Sequence, residues 1–480
     1  MNADSFPAPL YAETVLGPNF EDAKRYFLDA LIEIHYAHSR MLAKQGILTG
    51  AEEQALRAGL NHLDREAVAR ATYDGSYEDL FFFIENMLES ACGELAGKMH
   101  TARSRNDIAI TLYRMTLRRE LLALAAAIGQ VRVVVLDIAT QHIGTIMPAH
   151  THTQPAQPTT LAHYLLAVAE FLARDFARIQ AAFGRVNLNP LGACAITTTG
   201  FSIDRQMTAG LLGFEGLAEN SYGAIASIDY LTESAAALAV AMINASKFVQ
   251  DLLLWSTREF GFLRLSDAFV QSSSIMPQKR NPVALEHTRI LASRALGEAQ
   301  AVLTCAHNTP FGDINDSEDD LQPLVFTMFA DALRGLRLLA GLLTTAEFDR
   351  KRLACRAAAD FMTVTELADT LVRQAGLSFR EAHALVSKAV KTAAGDDSPR
   401  AIATALLAES PSIPLTQTEI ERALDPGNFV NVRSITGGPA PEIVTEALAR
   451  ADKEQSTLEQ WIQSKDMMLT EARRNNLEST

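Results

Sequence analysis

The chain has 480 residues, 48% of them hydrophobic, 21% charged and 7% aromatic. That is enough apolar material to bury a large core, which excludes general disorder, and a length that points to roughly three domains. A formal charge of −14 opposes a nucleic-acid backbone, so a DNA- or RNA-binding role is excluded as well. Cys92, Cys194, Cys305 and Cys355 are widely spaced with no CxxC pair, which fits reduced thiols in a cytoplasmic protein and offers neither a disulfide nor a zinc pattern. The N-terminus lacks a basic segment followed by an apolar run, so no secretory signal is expected.

With 26 glycines and 17 prolines the chain is poor in turn formers, which favours long helices. No proline falls between Pro18 and Pro148. Within that gap 101–146 reads as a helix interrupted at Gly129, with Gly144 near its end. A further helical pattern, 160–186, follows the cluster Pro155–Pro158. The next proline-free gap runs from Pro190 to Pro277, and 224–260 holds neither glycine nor proline. This last stretch reads as one long helix, apolar on most faces and buried among others. Its most apolar part, 236–245, is about ten residues, too short to span a bilayer. No strand array, internal repeat or long heptad pattern is present, and Gly210, Gly213 and Gly216 do not make a GxGxxG loop. The expected fold is all-α: an N-terminal helical domain over 1–105, a central helix bundle over 106–355, and a breaker-rich small domain over 356–480.

Polar residues crowd into four places. His100–Asp107 (HTARSRND) puts two arginines, a serine and an asparagine at a helix start, where forked cations and free N–H groups suit carboxylates; a plain N-cap with solvated arginines accounts for them too. His150–Pro158 (HTHTQPAQP) sets histidines among hydroxyls and amides, fit for acid–base work or for an ordinary satisfied turn. No carboxylate stands at HExxH-like spacing, so a metal is not expected. Gln271–Pro282 (QSSSIMPQKRNP), followed by Glu286, is an irregular loop of a length that is usually functional. Pro190–Arg205 is rich in small residues, suited to tight packing or a carboxylate contact.

Together these segments resemble the argininosuccinate lyase and fumarase superfamily. SSIMPQKRNP matches its signature loop, HTARSRND is similar to HTGRSRND of argininosuccinate lyases, THTQPAQP to their THLQRAQP, and PLGACAITTTGFSIDR to their PLGSGALAGTTFPIDR. The similarity runs from about Phe20 to Glu446, in order. It implies a three-domain subunit in a homotetramer whose core holds about twenty helices. Each active site is then built by three subunits. The implied reaction is β-elimination from a succinyl group, releasing fumarate, with no cofactor. By this resemblance Ser273 is the base, on a loop (271–283) that closes over substrate. Lys279 and Asn281 would stabilise the carbanion, and His152 with Glu286 would position substrate or pass a proton to the leaving nitrogen. Ser104, Arg105, Asn106 and Thr151, with Gln157 and Met276, would hold the dicarboxylate.

The amine side departs from the family pattern. The EDxH histidine is Phe81, and the D-I-x-x-S stretch reads Leu31–His35. The arginine of THLQRAQP is Pro155, and the preceding GY is Ala149-His150. YN-x-DLQEDK becomes Phe311–Asp320, without its tyrosine and lysine. A site lacking those partners cannot select an α-amino acid end strongly. The resemblance therefore points to fumarate plus an amine other than arginine, as in aminopolycarboxylate lyases acting on ethylenediamine-disuccinate. His35, Phe81, His150 and Asn315 are the amine-side candidates, the two histidines as cations for an anionic amine. The alternatives are a true argininosuccinate lyase with a rebuilt pocket, and a non-catalytic structural relative such as the lens crystallins of this family.

Overall fold

The computed structural model describes residues 6–478. The proline-poor stretches are long helices: α1 (Leu28–Lys44), α2 (Leu80–Cys92), α3 (Arg105–Gln141), α4 (Leu161–Val186), α5 (Asp229–Trp255), α6 (Val283–Ala306) and α7 (Gln322–Leu343). At 37 residues, α3 is about 55 Å long. It begins at a capping box: the Asn106 amide donates to Ser104 Oγ at 3.4 Å and the Ser104 amide to Asp107 at 2.8 Å, which satisfies donors that a helix start leaves open. α3 packs along α4 and α7, and α5, α6 and α7 pack on one another. Gly129 does not interrupt α3. It lies where the last helix crosses, and a Cβ there would stand 3.7 Å from Gln455 Nε2.

Three arginines of α3 are buried, and each is bonded to oxygen. Arg114 donates to the Arg185 carbonyl at 2.8 Å and Arg118 to Asn187 at 2.8 Å, both at the end of α4. Arg132 donates to the Ala169 carbonyl at 3.1 Å. Buried charges paired in this way avoid the cost of an unsatisfied cation while pinning two helices together.

The stretch 224–260 is not one helix. A short helix, Ser221–Ala226, ends at Ser227, which takes extended backbone, and α5 starts at Asp229 with an acidic residue in its first turn, favourable at a helix N-terminus. α3 and α5 are each long and apolar enough, by length and composition only, to cross a bilayer, a test that core helices also pass. In the fold 72% of the apolar window of α3 and 50% of that of α5 are buried, and α5 leaves Ile243 and Leu254 exposed.

Strands are few among the described residues. One antiparallel hairpin, β1 (Ile146–Thr151) and β2 (Gln154–Thr160), joins α3 to α4; elsewhere only two-residue bridges occur. Three prolines in this hairpin, Pro148, Pro155 and Pro158, mask its strand character in the sequence.

Two apolar cores divide the chain. The large one takes in Phe20, Leu31 and Phe81 together with Leu121, Phe176 and Leu336, so 1–105 shares the bundle's core. The small one is formed by α8 (Val364–Ala375), α9 (Phe379–Thr392), α10 (Pro399–Glu409) and α11 (Gln417–Ala423). The final helix, α12 (Pro441–Glu478), returns to lie across α3 and α4, with Val444, Leu448 and Leu469 in the large core. The last helix thus packs with the large core, apart from the helices of the small one.

Candidate active site

The N-terminus of α3 is fixed from below by one buried carboxylate. Asp107 is fully buried. Besides the Ser104 amide it accepts from the Gly192 and Cys194 amides at 2.8 and 2.9 Å. Gly192 has φ of 90°, and a Cβ there would come within 2.7 Å of Arg205, so glycine is required. Arg205 donates to the Leu191 carbonyl at 3.0 Å and to the Ala218 carbonyl at 2.8 Å. The segment 190–205 is thus a packed brace for the helix start, and Asn106 Nδ2 reaches across to the Ala195 carbonyl at 3.2 Å.

Above this brace lies a cavity of about 210 Å³, lined in part by Phe81, Arg105, Asn106 and Asn315. Its floor is apolar and includes Leu31, Phe81 and Tyr113. Six carboxyl groups reach its wall: Glu78, Asp79, Asp313, Glu318, Asp319 and Asp320. Arg105 is the one cation there among the described residues, and its fork is occupied, Nη1 by Asp79 at 2.8 Å and Nη2 by Glu78 at 2.9 Å. Expected to hold a substrate carboxylate, it here ties α3 to the start of α2. Tyr113 donates to Asp319 at 2.5 Å. Burial and the facing Asp313 carboxyl push Glu318 up to about 9.

Two amine-side candidates stand outside this cavity. His35 is fully buried, its Nδ1 accepting from Arg103 Nη1 at 2.8 Å. Its ring lies 5.9 Å from that of Phe81. Burial, then Arg103, hold its imidazole well below the usual range. It is a neutral core group and cannot serve as a cation for an anionic amine. Its neighbour His38 bonds the Thr101 carbonyl at 2.9 Å and is pulled down to about 3 by burial. His150 lies in a separate pocket with Phe260, Arg352 and Arg356, and burial lowers its pKa too.

The remaining candidates sit on two projections. Thr151 and His152 are exposed at the tip of the β1–β2 hairpin. His152 and Thr153 both have positive φ, 51° and 60°, a left-handed turn that non-glycine residues adopt at a cost of about 1 kcal/mol or more each. Gln157, on β2, donates to Thr365 Oγ1 at 3.3 Å and so faces the small domain. The loop 271–283 is a flap with a clamped neck. Gln271 pairs with Asn281 and Ser272 with Arg280, while Arg280 donates to the Leu265 carbonyl at 2.8 Å and pairs with Asp267. At its tip Ile275 is 85% exposed and Met276 43%. Inside the flap Ser273 Oγ accepts from the Ile275 and Met276 amides at 3.2 and 3.0 Å. Lys279 and Glu286 are exposed. Within the chain no hydrogen bond or ion pair among the described residues joins His152 to Glu286, or Ser273 to Ser104 or Asn106.

The carboxylates of 313–320 had no weight in the sequence reading. What could have flagged them is the run Asp313–Asp320 itself, with five acids in eight residues, at the position where the family's pattern carries a lysine.

Comparison with known proteins gives the family and the fold. A family model described as lyase matches residues 26–297, and one described as argininosuccinate lyase C-terminal matches 361–431. Argininosuccinate lyase 2 of Agrobacterium fabrum is 42% identical over 93% of this chain and 91% of its own length. Argininosuccinate lyase of Methanoculleus marisnigri is 40% identical over 89% and 87%. Among solved structures, a variant of EDDS lyase with bound fumarate superposes with a TM-score of 0.87 at 33% identity, covering 98% of this chain and 96% of that one. Fumarate lyase from Mesorhizobium sp. BNC1, at 18% identity and a TM-score of 0.73 over 89% of this chain and 97% of that one, shares the fold. The chain belongs to the lyase family, in its argininosuccinate lyase branch, and is a carbon–nitrogen lyase.

Proposed function

We propose that the protein releases fumarate from an N-(1,2-dicarboxyethyl) amine other than argininosuccinate. The observation that carries this is the cavity at the start of α3. It keeps Asn106 beside the Ser104 cap, yet its amine wall presents Phe81, Asn315 and a row of carboxylates. A carboxylate-bearing α-amino acid end finds no free cation there. A site of hydrogen-bonding groups discriminates strongly, and one without them does not.

The chemistry is an elimination. A C–H bond beside one carboxylate breaks, the electron pair forms the C=C bond of fumarate, the C–N bond breaks, and the amine leaves with a proton. Ser273 is the proposed base. A serine alkoxide is costly in water, but two backbone amides already converge on this Oγ, and donors fixed where charge develops supply the largest catalytic effect. Flap closure would exclude water and bring Lys279 and Asn281 to the carbanion. Ser104, Asn106 and Thr151 would hold the succinyl carboxylates. His152 on its strained turn would orient the leaving nitrogen, with Glu286 fixing its tautomer.

Within one chain no hydrogen bond or ion pair among the described residues joins Ser273, His152 and the α3 start. The reading therefore needs neighbouring subunits, and a homotetramer supplies them. Exposed Ile243 and Leu254 on α5 and Ile290 on α6 give it an apolar seam.

The test follows fumarate absorbance on incubation with argininosuccinate and with a panel of other N-(1,2-dicarboxyethyl) amines. Turnover of a panel member well above that of argininosuccinate is expected. Argininosuccinate as the preferred substrate would support the second reading, a true argininosuccinate lyase, which the 42% identical relative favours.

A further inference from the structure

Resting on the lyase reading above, we infer that the amine half of the substrate is an alkyl cation without a carboxylate, a diamine or an alkylguanidine, selected by Glu318 and Asp313. The cavity is a site on grounds separate from its charge. It is concave, it opens beside Asn106, and its floor of Leu31, Phe81 and Tyr113 suits a methylene stem. The charge then sets the chemistry of the far end. Arg105 makes its ion pairs with Glu78 and Asp79 and reaches Glu318 and Asp319 only by weaker charge attraction, so the opposite wall has no ion pair of its own among the described residues. Asp319 accepts a hydrogen bond from Tyr113, whereas Glu318 and Asp313 face each other with Asp319 alongside, and Glu318 is raised because burial and then Asp313 disfavour its anion. A ligand ammonium or guanidinium between them would restore both anions and donate hydrogen bonds to their oxygens. A ligand carboxylate would set like charges together, which costs affinity. Of the two histidines packed on Phe81, His35 is neutral and bonded to Arg103 and His100 is bonded to Glu85, so neither is free to rescue it.

Matched probes differing by a single carboxylate test this directly. Agmatine is arginine without its carboxylate, and 1,4-diaminobutane stands in the same relation to ornithine. Calorimetric titration of the full-length protein is expected to show agmatine and 1,4-diaminobutane binding at least ~tenfold more tightly than arginine and ornithine, a difference of about 1.4 kcal/mol. In the double variant Glu318→Gln, Asp313→Asn the preference should fall toward unity. Equal or reversed affinities in the native protein would overturn the inference, and so would an undiminished preference in the double variant. The lyase reading has its own readout: fumarate consumption in the presence of agmatine. Selective binding without any fumarate turnover would uphold the cation preference and refute the elimination.

Discussion

At the residue scale, Ser273 and Asp107 each gather backbone amides on one side-chain oxygen group. Ser273 Oγ accepts from two amides of its own loop, which in the proposed mechanism would carry part of the anion's solvation. Ser273→Ala should lower turnover by about 10²–10⁴-fold, the usual range for a positioned proton-transfer group, while fumarate binding stays within a few-fold; steady-state rates and equilibrium titration separate the two. Asp107 gathers the Ser104, Gly192 and Cys194 amides in the core. Asp107→Ala strands them, and should cost about 1–3 kcal/mol or more of stability, read as a lower urea midpoint. The motif HTARSRND was legible as a helix start because capping is a local pattern. The burial of His35 was not: an imidazole on a helix face looks the same in sequence whether it meets solvent or, as here, Arg103. For the same reason Arg105 read as a free cation, since Glu78 and Asp79 lie more than twenty residues away in the chain.

At the element scale, the segment 311–320 and the β1–β2 hairpin carry the differences from expectation. The hairpin was hidden by its prolines and by a turn that uses His152 and Thr153 at positive φ in place of glycine. The long helices α3 and α4 were plain from absent prolines and helical spacing, although the end of α3 and the break before α5 fall inside what read as continuous helix. The acidic wall could not be assembled from sequence because its parts, 78–79 and 313–320, meet only through the fold. Glu318 gives it a pH signature. Its folded pKa, about 9, lies above the ordinary carboxylate value, because of burial and Asp313, with Asp319 adding to the rise and Arg105 opposing it. The stabilising contribution of its protonated form is complete below the ordinary carboxylate pKa of roughly 4.3 and is lost as pH climbs toward 9. Glu318→Gln should therefore gain stability over the native protein progressively across that interval, and thermal unfolding at pH 5 and pH 8.5 checks this. An unchanged difference between the two would place the carboxyl in solvent.

At the scale of the whole molecule, the chain folds its reactive groups onto three separate projections: the α3 start, the hairpin tip and the flap. The large core runs from Phe20 to the final helix, so these projections ride on one body, with the small domain touching the hairpin through Gln157 and Thr365. In the proposed function, assembly completes the site. Ile243→Lys, on the exposed stripe of α5, should yield a smaller species in analytical ultracentrifugation and lose activity, though every reactive side chain is intact. A monomeric variant with full turnover would refute the shared site. The most direct test of the central claim is the appearance of fumarate when native protein and Ser273→Ala are each mixed with the N-(1,2-dicarboxyethyl) derivative of agmatine. Release by the native protein and its loss in the variant are predicted. A variant as fast as the native protein, or a native protein that forms no fumarate, would contradict the account.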